Sequence, residues 1–488
     1  MAKFKFERLA LGRKPRVLEL CSGCGGLSLG LKRAGFELSA HIEIDPGANQ
    51  TYALNFGPKG TSKLAEWSRP RDMVTESISG VMSDFGIEGS PGAAFDVLAA
   101  GLPCQAFARI GRSKLRSVTG DVDAFKNDPR ALLYRRFLEI VEETRPLAIL
   151  VENVPDIMNF GGRNVPEEIA QSLSELGYAT RYTLLNAAFY GVPQLRERLF
   201  IVAIDSRLGV DPKFPMPLNF MELPRGYEGT RAVALKHVSE DSPYFIPIPQ
   251  ATSHLPKSIN VHQAIGDLPF ISDHLRDMSY IRRRRVQDKM PYRECAVLSD
   301  YARSMRDWDG FQSTGDEVSG NVIRLTGRDF ATFGRMPRGA DYPVALNVAR
   351  NLFEERLSEL DAPPLENSLS YIRLESSIVP PYDVDKFPNR WWKINPAQPS
   401  RTLTAHLGKD TYSHIHYDGR QKRMISVREG ARLQSFPDGF EFSGAMNASF
   451  KQIGNAVPPL LGYAVAKSLM EVMMAPIKKY LEADWMPA

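Results

Sequence analysis

Arg16-Val17-Leu18-Glu19-Leu20-Cys21-Ser22-Gly23-Cys24-Gly25-Gly26-Leu27-Ser28-Leu29-Gly30-Leu31-Lys32-Arg33-Ala34 falls into three physical regimes. Arg16–Leu20 is short and mostly apolar, as a buried strand is. Gly23 to Gly26 lets the backbone turn tightly and leaves room for a ligand against the loop. Leu27–Ala34 reads as a helix. A second strand is predicted over Leu38–Ile44, with Glu43 and Asp45 at its end. An acid about 20 residues beyond such a loop is placed to accept hydrogen bonds from ribose hydroxyls, so an adenosine-containing cofactor is expected. Gly23-x-Gly25-x-x-Ser28 nearly matches the dinucleotide fingerprint, but serine holds the third position. The added Gly26 suits a non-phosphorylated nucleoside cofactor at least as well, and a plain glycine turn stays open as the alternative.

Further along, Asp96-Val97-Leu98-Ala99-Ala100-Gly101-Leu102-Pro103-Cys104-Gln105-Ala106-Phe107 is an apolar run of strand length that empties into a turn carrying a cysteine. Ligands of open α/β sheets bind beyond the carboxyl ends of the strands, which is where Cys104 lies. The thiolate is the reactive form of cysteine, so the site must help to generate it; the alternative is a small buried hydrophobe. The polar, basic stretch Arg109 to Lys114 that follows reads as a loop over the site or as a solvated surface loop. Ser62 to Gly92 has little periodicity and reads as connections around a short element.

Ala131–Thr144 has helical spacing at Leu132, Leu133, Phe137, Ile140 and Val141. It leads into a strand, Leu147–Val151, closed by Glu152 and Asn153. If that strand neighbours the Asp96 strand, Glu152 faces the same crevice as Cys104 and is a candidate proton donor; a cap or surface acid is the alternative. Val165–Leu176 reads as a helix, and Ala179–Ala187 and Leu199–Ile204 as strands. Gln194, Arg196 and Arg198 alternate, so on an extended segment they offer donors on one face, or else form structural ion pairs. Beyond Asp205 the αβ rhythm stops. The segment up to Pro399 is rich in proline and charge, with an arginine run at Arg282 to Arg285 as a phosphate-binding candidate. Gln452 to Pro459 precedes an apolar helix, Leu460–Tyr480, expected to return to the first domain.

The composition, 43% hydrophobic and 24% charged over 488 residues, excludes general disorder, and no apolar run approaches the ~18 residues of a membrane span. The basic stretch Met1 to Arg16 lacks an apolar signal core, so no export is expected. Four cysteines do not make a disulfide framework and fit a reducing compartment. Cys21-Ser22-Gly23-Cys24 has the spacing of a zinc or redox pair, but no histidine lies at ligand spacing nearby, and no metal is expected. The net charge of +4 is small and allows only a local basic face.

Taken together, Glu19 to Gly26, Pro103-Cys104-Gln105, Glu152-Asn153-Val154, Gln194-x-Arg196-x-Arg198 and Gln452-x-x-Gly454-Asn455-x-Val457-Pro458 resemble, in order, the motifs of the cytosine-5 DNA methyltransferase family. The resemblance covers almost the whole chain except its middle. It implies an α/β fold, a doubly wound, mainly parallel sheet of the AdoMet-dependent methyltransferase type, with an inserted, smaller target-recognition domain. The expected division is 1–205 catalytic, 206–445 target recognition and hinge, and 446–488 a segment returning to the catalytic domain. S-adenosylmethionine is the implied cofactor, with Gly23, Gly25 and Gly26 along its methionine part and Glu43 on its ribose. Pro103, Asn455 and Leu133 complete the pocket, and Asp72 is the candidate for the next acidic position. Cys21 stands where the family usually has an aromatic residue, and Glu19 where it usually has aspartate.

The implied reaction is covalent catalysis on a flipped cytosine of duplex DNA at a short specific sequence. Cys104 is the nucleophile, Glu152 the proton donor at N3, and Arg198, with Arg196, the group on O2. The family habit adds a restriction-modification role with a separate restriction endonuclease, a monomer on DNA, and a cytoplasmic, nucleoid-associated location. The rivals are a tRNA cytosine-5 methyltransferase, against which the long middle segment speaks, and a catalytically idle DNA-binding relative. A nicotinamide oxidoreductase, suggested by the glycine loop alone, leaves the later motifs unexplained.

Overall fold

Six strands form the central sheet of the computed structural model, which describes residues 2–61, 63–103, 129–160, 162–277, 279, 284–294, 297–313, 315–388 and 390–482. They are β1 (Arg16–Leu20), β2 (Glu37–Ile42), β3 (Val97–Ala100), β4 (Ala148–Asn153), β5 (Tyr178–Asn186) and β6 (Glu197–Asp205), in the order β2-β1-β3-β4-β6-β5. β2, β1, β3 and β4 pair in parallel, and β6 runs antiparallel to both β4 and β5. The sheet is therefore mainly parallel, with β6 alone reversed. The carboxyl ends of β2, β1, β3 and β4 share one edge with the amino end of β6, and this brings together motifs far apart in sequence.

Strand pleating sends alternate residues to opposite faces, and the apolar strands fill both. Leu18, Leu98, Ala100, Ile149 and Val151 enter one layer with Phe137, Ile140, Val141 and Ile169. Val17, Val97, Ala99, Ala148 and Leu150 enter the other with Leu27, Leu31, Leu461, Val465 and Leu469. The helices of the first unit used below are α1 (Ala2–Ala10), α2 (Gly26–Arg33), α3 (Pro46–Phe56), α4 (Ile78–Phe85), α5 (Pro129–Thr144), α6 (Val165–Glu175) and α7 (Pro459–Glu482). The stretch Ser62 to Gly92, unpatterned in sequence, holds α4 and a shorter helix, Leu64–Ser68.

α2 and α7 pack backbone to backbone, because a Cβ on Gly30 would stand 2.4 Å from the Tyr463 nitrogen. Residues Met446–Ile477 are long and apolar enough to pass as a membrane span by composition. Leu461, Val465, Ala466, Leu469, Met473 and Ile477 of this stretch, however, are buried in the layer against the sheet.

The chain divides into two compact units, 1–258 with 456–488, and 259–455. Residues 206–258 thus fall with the αβ unit rather than beyond its expected end at 205. The reason is hydrogen bonding: the Tyr182 N–H donates to the Tyr244 carbonyl (2.8 Å) and the Ile246 N–H to the Tyr182 carbonyl (2.9 Å), extending the sheet at β5. Ser258 closes the segment by donating to the Ala188 carbonyl (2.8 Å).

The second unit is built around Trp391, stacked on Tyr412 at 4.7 Å, with Phe333 and Tyr342 against them. Its helix Val427–Leu433 is wholly buried and is opened by a capping box between Ser426 and Glu429. Buried arginines are satisfied within the unit. Arg423 pairs with Glu429 (2.7 Å), Arg432 with Asp438 and Asp267, and Arg428 bonds the Ser319, Pro437 and Phe440 carbonyls. Of the arginine run, Arg284 turns inward to Asp273 (3.2 Å) and Arg285 is exposed. Arg282 and Arg283 lie outside the described residues.

Candidate active site

The glycine loop leaves β1 through Cys21 (φ 52°), Gly23 (φ 56°) and Gly25 (φ 95°), three left-handed positions within five residues. Two of its glycines are required by packing. A Cβ on Gly25 would meet the Phe56 ring at 2.3 Å, and one on Gly26 the Val457 carbonyl at 2.3 Å. A Cβ on Gly23 would meet nothing within 4 Å, so the loop is open on that side. α2 starts here with no side chain capping its amino end, an arrangement that favours a carboxylate.

Glu43 reaches into the loop. Its Oε2 accepts from the Gly23 N–H and its Oε1 from the Asp45 N–H, both at 2.8 Å. Burial pushes its carboxyl up, and the backbone donors oppose that shift. Each oxygen keeps lone-pair capacity for a further donor. An open glycine cradle, an uncapped helix end and a fixed carboxylate fit the amino-acid and ribose parts of a nucleoside cofactor.

Cys21 and Asp72 border this loop. The Cys21 thiol lies 3.6 Å from the Met73 sulfur, and burial, with Glu43 and Asp72 adding repulsion, pushes it up to about 12. It is a protonated wall residue at neutral pH, as is Cys24, whose burial also raises its thiol. Asp72 accepts from the Val74 N–H (2.9 Å), and the Arg71 N–H before it donates to the Glu43 carbonyl (2.7 Å). Leu133 packs, half-buried, against the same apolar layer as Cys21.

One strand further along, the Gly101 N–H donates to the Leu20 carbonyl (3.1 Å), holding the end of β3 beside β1. Asn153, at the end of β4, donates to the Leu102 carbonyl (2.8 Å), so the backbone is pinned two residues before Cys104. Pro103 is exposed. Cys104 itself lies outside the described residues, as does the stretch Arg109 to Lys114.

Glu152 stands opposite Phe200 in the β4–β6 ladder, and this register brings Arg198 to it: Arg198 Nε lies 2.9 Å from Glu152 Oε1, with both side chains 11% exposed. Burial raises the Glu152 carboxyl and lowers the Arg198 guanidinium; each partner's charge opposes the other's shift, and desolvation outweighs it. A carboxyl raised by burial can donate a proton, and its guanidinium neighbour can receive negative charge. Arg196 is fully buried and donates to the Ala456 carbonyl (3.1 Å). Asn455 ends the helix Met446–Asn455 in the second unit.

A family model described as C-5 cytosine-specific DNA methylase matches residues 15–471. The chain belongs to that family. As such a methylase it is a DNA cytosine-5 methyltransferase, and similar proteins bear type II methyltransferase names. M.OihORF3336P of Oceanobacillus iheyensis is 36% identical over 93% of this chain and 95% of its own length. M.AgeI of Thalassovita gelatinovora is 28% identical over 93% and 99%. A crystal structure of an Escherichia coli prophage protein, described as a DNA modification methyltransferase, shares the fold with a TM-score of 0.56 at 21% identity, over 94% of this chain and 99% of that one.

The methylase also has a buried polar layer beneath the glycine loop that its sequence did not announce. Ser28, the serine in the third fingerprint position, hydrogen-bonds Glu19 and lies 3.1 Å from the Tyr52 hydroxyl. Burial pushes Glu19 up to about 8. On the other side, His41 stacks on Tyr52 at 3.8 Å. His41 Nε2 is 2.9 Å from the Trp67 carbonyl and so carries the proton, which leaves Nδ1 to accept from Ser22 Oγ (3.1 Å). Both ends of the loop are thereby tied to strands β1 and β2.

Proposed function

We propose that the enzyme methylates C5 of a cytosine within a short specific sequence of duplex DNA, using S-adenosylmethionine and a covalent intermediate on Cys104. The observation that carries this reading is the buried Glu152–Arg198 pair beside the Asn153-pinned strand end that leads into Pro103-Cys104.

C5 of cytosine is a poor nucleophile. Attack of the Cys104 thiolate on C6 moves electron density into the ring, and Glu152 protonates N3 as that density builds. Arg198 donates to O2, where charge also develops. Arg196, bonded to the Ala456 carbonyl, backs this end of β6. Gly23, Gly25, Gly26 and Glu43 would hold the cofactor, whose sulfonium would supply the electrophilic methyl group that the activated C5 takes as the S–CH3 bond breaks. Loss of the C5 proton to a base then lets the C6–sulfur bond break and returns the thiolate. A stacked base is out of reach of these groups, so the cytosine is flipped out of the duplex.

The second unit, 259–455, is the assigned reader of the target sequence, and Pro103, Leu133 and Asp72 are assigned to the cofactor pocket. The type II names of the relatives support a restriction-modification role beside a separate endonuclease. The enzyme is assigned to the cytoplasm as a monomer on nucleoid DNA.

The test is duplex DNA carrying 5-fluorocytosine at the target position. Addition at C6 and methylation at C5 need no proton to leave, but the final elimination would have to remove fluorine as a cation, so the adduct accumulates. Denaturing electrophoresis is expected to show a cofactor-dependent protein–DNA band, mapped to Cys104 and lost in Cys104→Ala. An enzyme that turns over normal DNA without forming this adduct, or forms it at Cys21, Cys24 or Cys295, refutes the mechanism.

A further inference from the structure

Arg136 lies on α5, on the face toward the turn Asp72–Glu76. That turn is largely self-contained. The Asp72 carbonyl accepts from the Thr75 (3.1 Å) and Glu76 (2.9 Å) N–H groups, and the Asp72 carboxylate accepts from Val74. Two of its carbonyls are taken from outside: Arg136 Nε donates to Met73 O (3.2 Å) and Arg136 Nη2 to Glu76 O (3.0 Å). The guanidinium is mostly buried, with a side-chain exposure of 17%, so these bonds are little screened by solvent. On its other side the same segment is tied to the cofactor acid, through the Arg71 N–H on the Glu43 carbonyl. The side chain presented between the two anchors is Met73, buried, with its sulfur on Cys21 of the glycine loop.

We infer that Arg136 is a positioning residue for the cofactor site: by clamping the Met73 and Glu76 carbonyls it holds Met73 and Asp72 against Cys21 and so sets cofactor affinity. The inference rests on the cofactor reading above and adds a residue that touches no reacting atom. Cys21 is small and contributes little surface. Met73, itself only 2% exposed, backs Cys21 from the core side, but a flexible thioether specifies position poorly on its own. The planar guanidinium fork donates to two carbonyls along fixed directions, a geometry that the rotatable donors of an ammonium hold less strictly.

The experiment is calorimetric titration of S-adenosylmethionine into the full chain without DNA, together with KM and kcat for methylation. Arg136→Ala is expected to weaken the dissociation constant about tenfold, the effect of losing roughly one charge-assisted hydrogen bond, and to raise the cofactor KM alike. kcat at saturating cofactor should stay within about twofold of wild type, a split that general destabilisation would not produce. Arg136→Lys should recover part of the loss. Met73→Ala should weaken binding comparably and the double variant no further, since both act through one wall. Glu139→Gln, which removes an exposed partner of Arg136 at 3.3 Å, should leave affinity unchanged. Unchanged affinity in folded Arg136→Ala or Arg136→Lys, or additive loss in the double variant, overturns the inference. If Arg136→Ala does not fold, Arg136→Lys and Met73→Ala decide it. A wild-type chain that binds no S-adenosylmethionine would instead overturn the cofactor reading beneath it.

Discussion

Replacing Arg198 with methionine removes the charge of the Glu152 partner while keeping most of the volume. In the wild type the two groups meet at 2.9 Å with only 11% of each side chain exposed, so solvent and salt screen the pair weakly. Two effects follow. Losing a preorganised donor at the position where charge develops costs about 10²- to 10³-fold in kcat. The second effect concerns protonation. In the proposed mechanism Glu152 is the acid, so the rate is expected to fall as pH rises through its pKa; Arg198 opposes the upward push of burial, and removing it lets the carboxyl rise further. The alkaline limb of the rate profile therefore moves to higher pH although the rate is lower throughout. The assay is single-turnover methylation of a DNA duplex, at saturating cofactor, across a pH series, with Glu152→Gln as the reference that has lost the limb. A limb that stays in place, or moves to lower pH, would refute Glu152 as the ionising acid.

Asn153→Ala leaves the buried Leu102 carbonyl without its donor, which should cost about 1–3 kcal/mol of stability and lower the methylation rate at least tenfold with cofactor affinity unchanged; rate and affinity falling together would contradict a role confined to the Cys104 strand end. Glu19, raised to about 8 from about 4.3 in the unfolded chain, stabilises the fold fully below the unfolded value, and this contribution declines as pH rises toward 8. Glu19→Gln should therefore have a flatter profile of Tm against pH and exceed wild type at about pH 9; parallel Tm curves would exclude the linkage. Neutralising the exposed Arg285 should flatten the salt dependence of DNA binding by about 0.9 if it meets a phosphate. Arg284→Gln should leave the slope unchanged, because Arg284 is already paired with Asp273; equal slopes for both variants would show the run to be a solvated face.

Local patterns carried a large part of this molecule. The β1 boundaries, the glycine turn and the helical spacing of Phe137, Ile140 and Val141 follow from short-range sterics and from the alternation of apolar residues, which a linear reading can see. The acid beyond the loop was legible for the same reason: strand and turn lengths fix how far along the chain the next strand must end, and Glu43 does reach the loop.

The resemblance put Glu152 and Arg198 on one cytosine, but their direct ion pair across the sheet was not legible in the spacing of residues. Glu152 and Arg198 are separated by α6 and β5, and only the reversal of β6 between β4 and β5 brings Arg198 to the edge where Glu152 ends its strand. The Arg284 side chain reads as a phosphate ligand in sequence and is instead held by Asp273. Ser28, a departure from the fingerprint on paper, is the hydroxyl that binds Glu19. Local sequence determines the conformation of each element through contacts a few residues apart. Which charged group is buried, and beside which partner, depends on strand order and register, and these are set only when the whole sheet closes its two apolar faces.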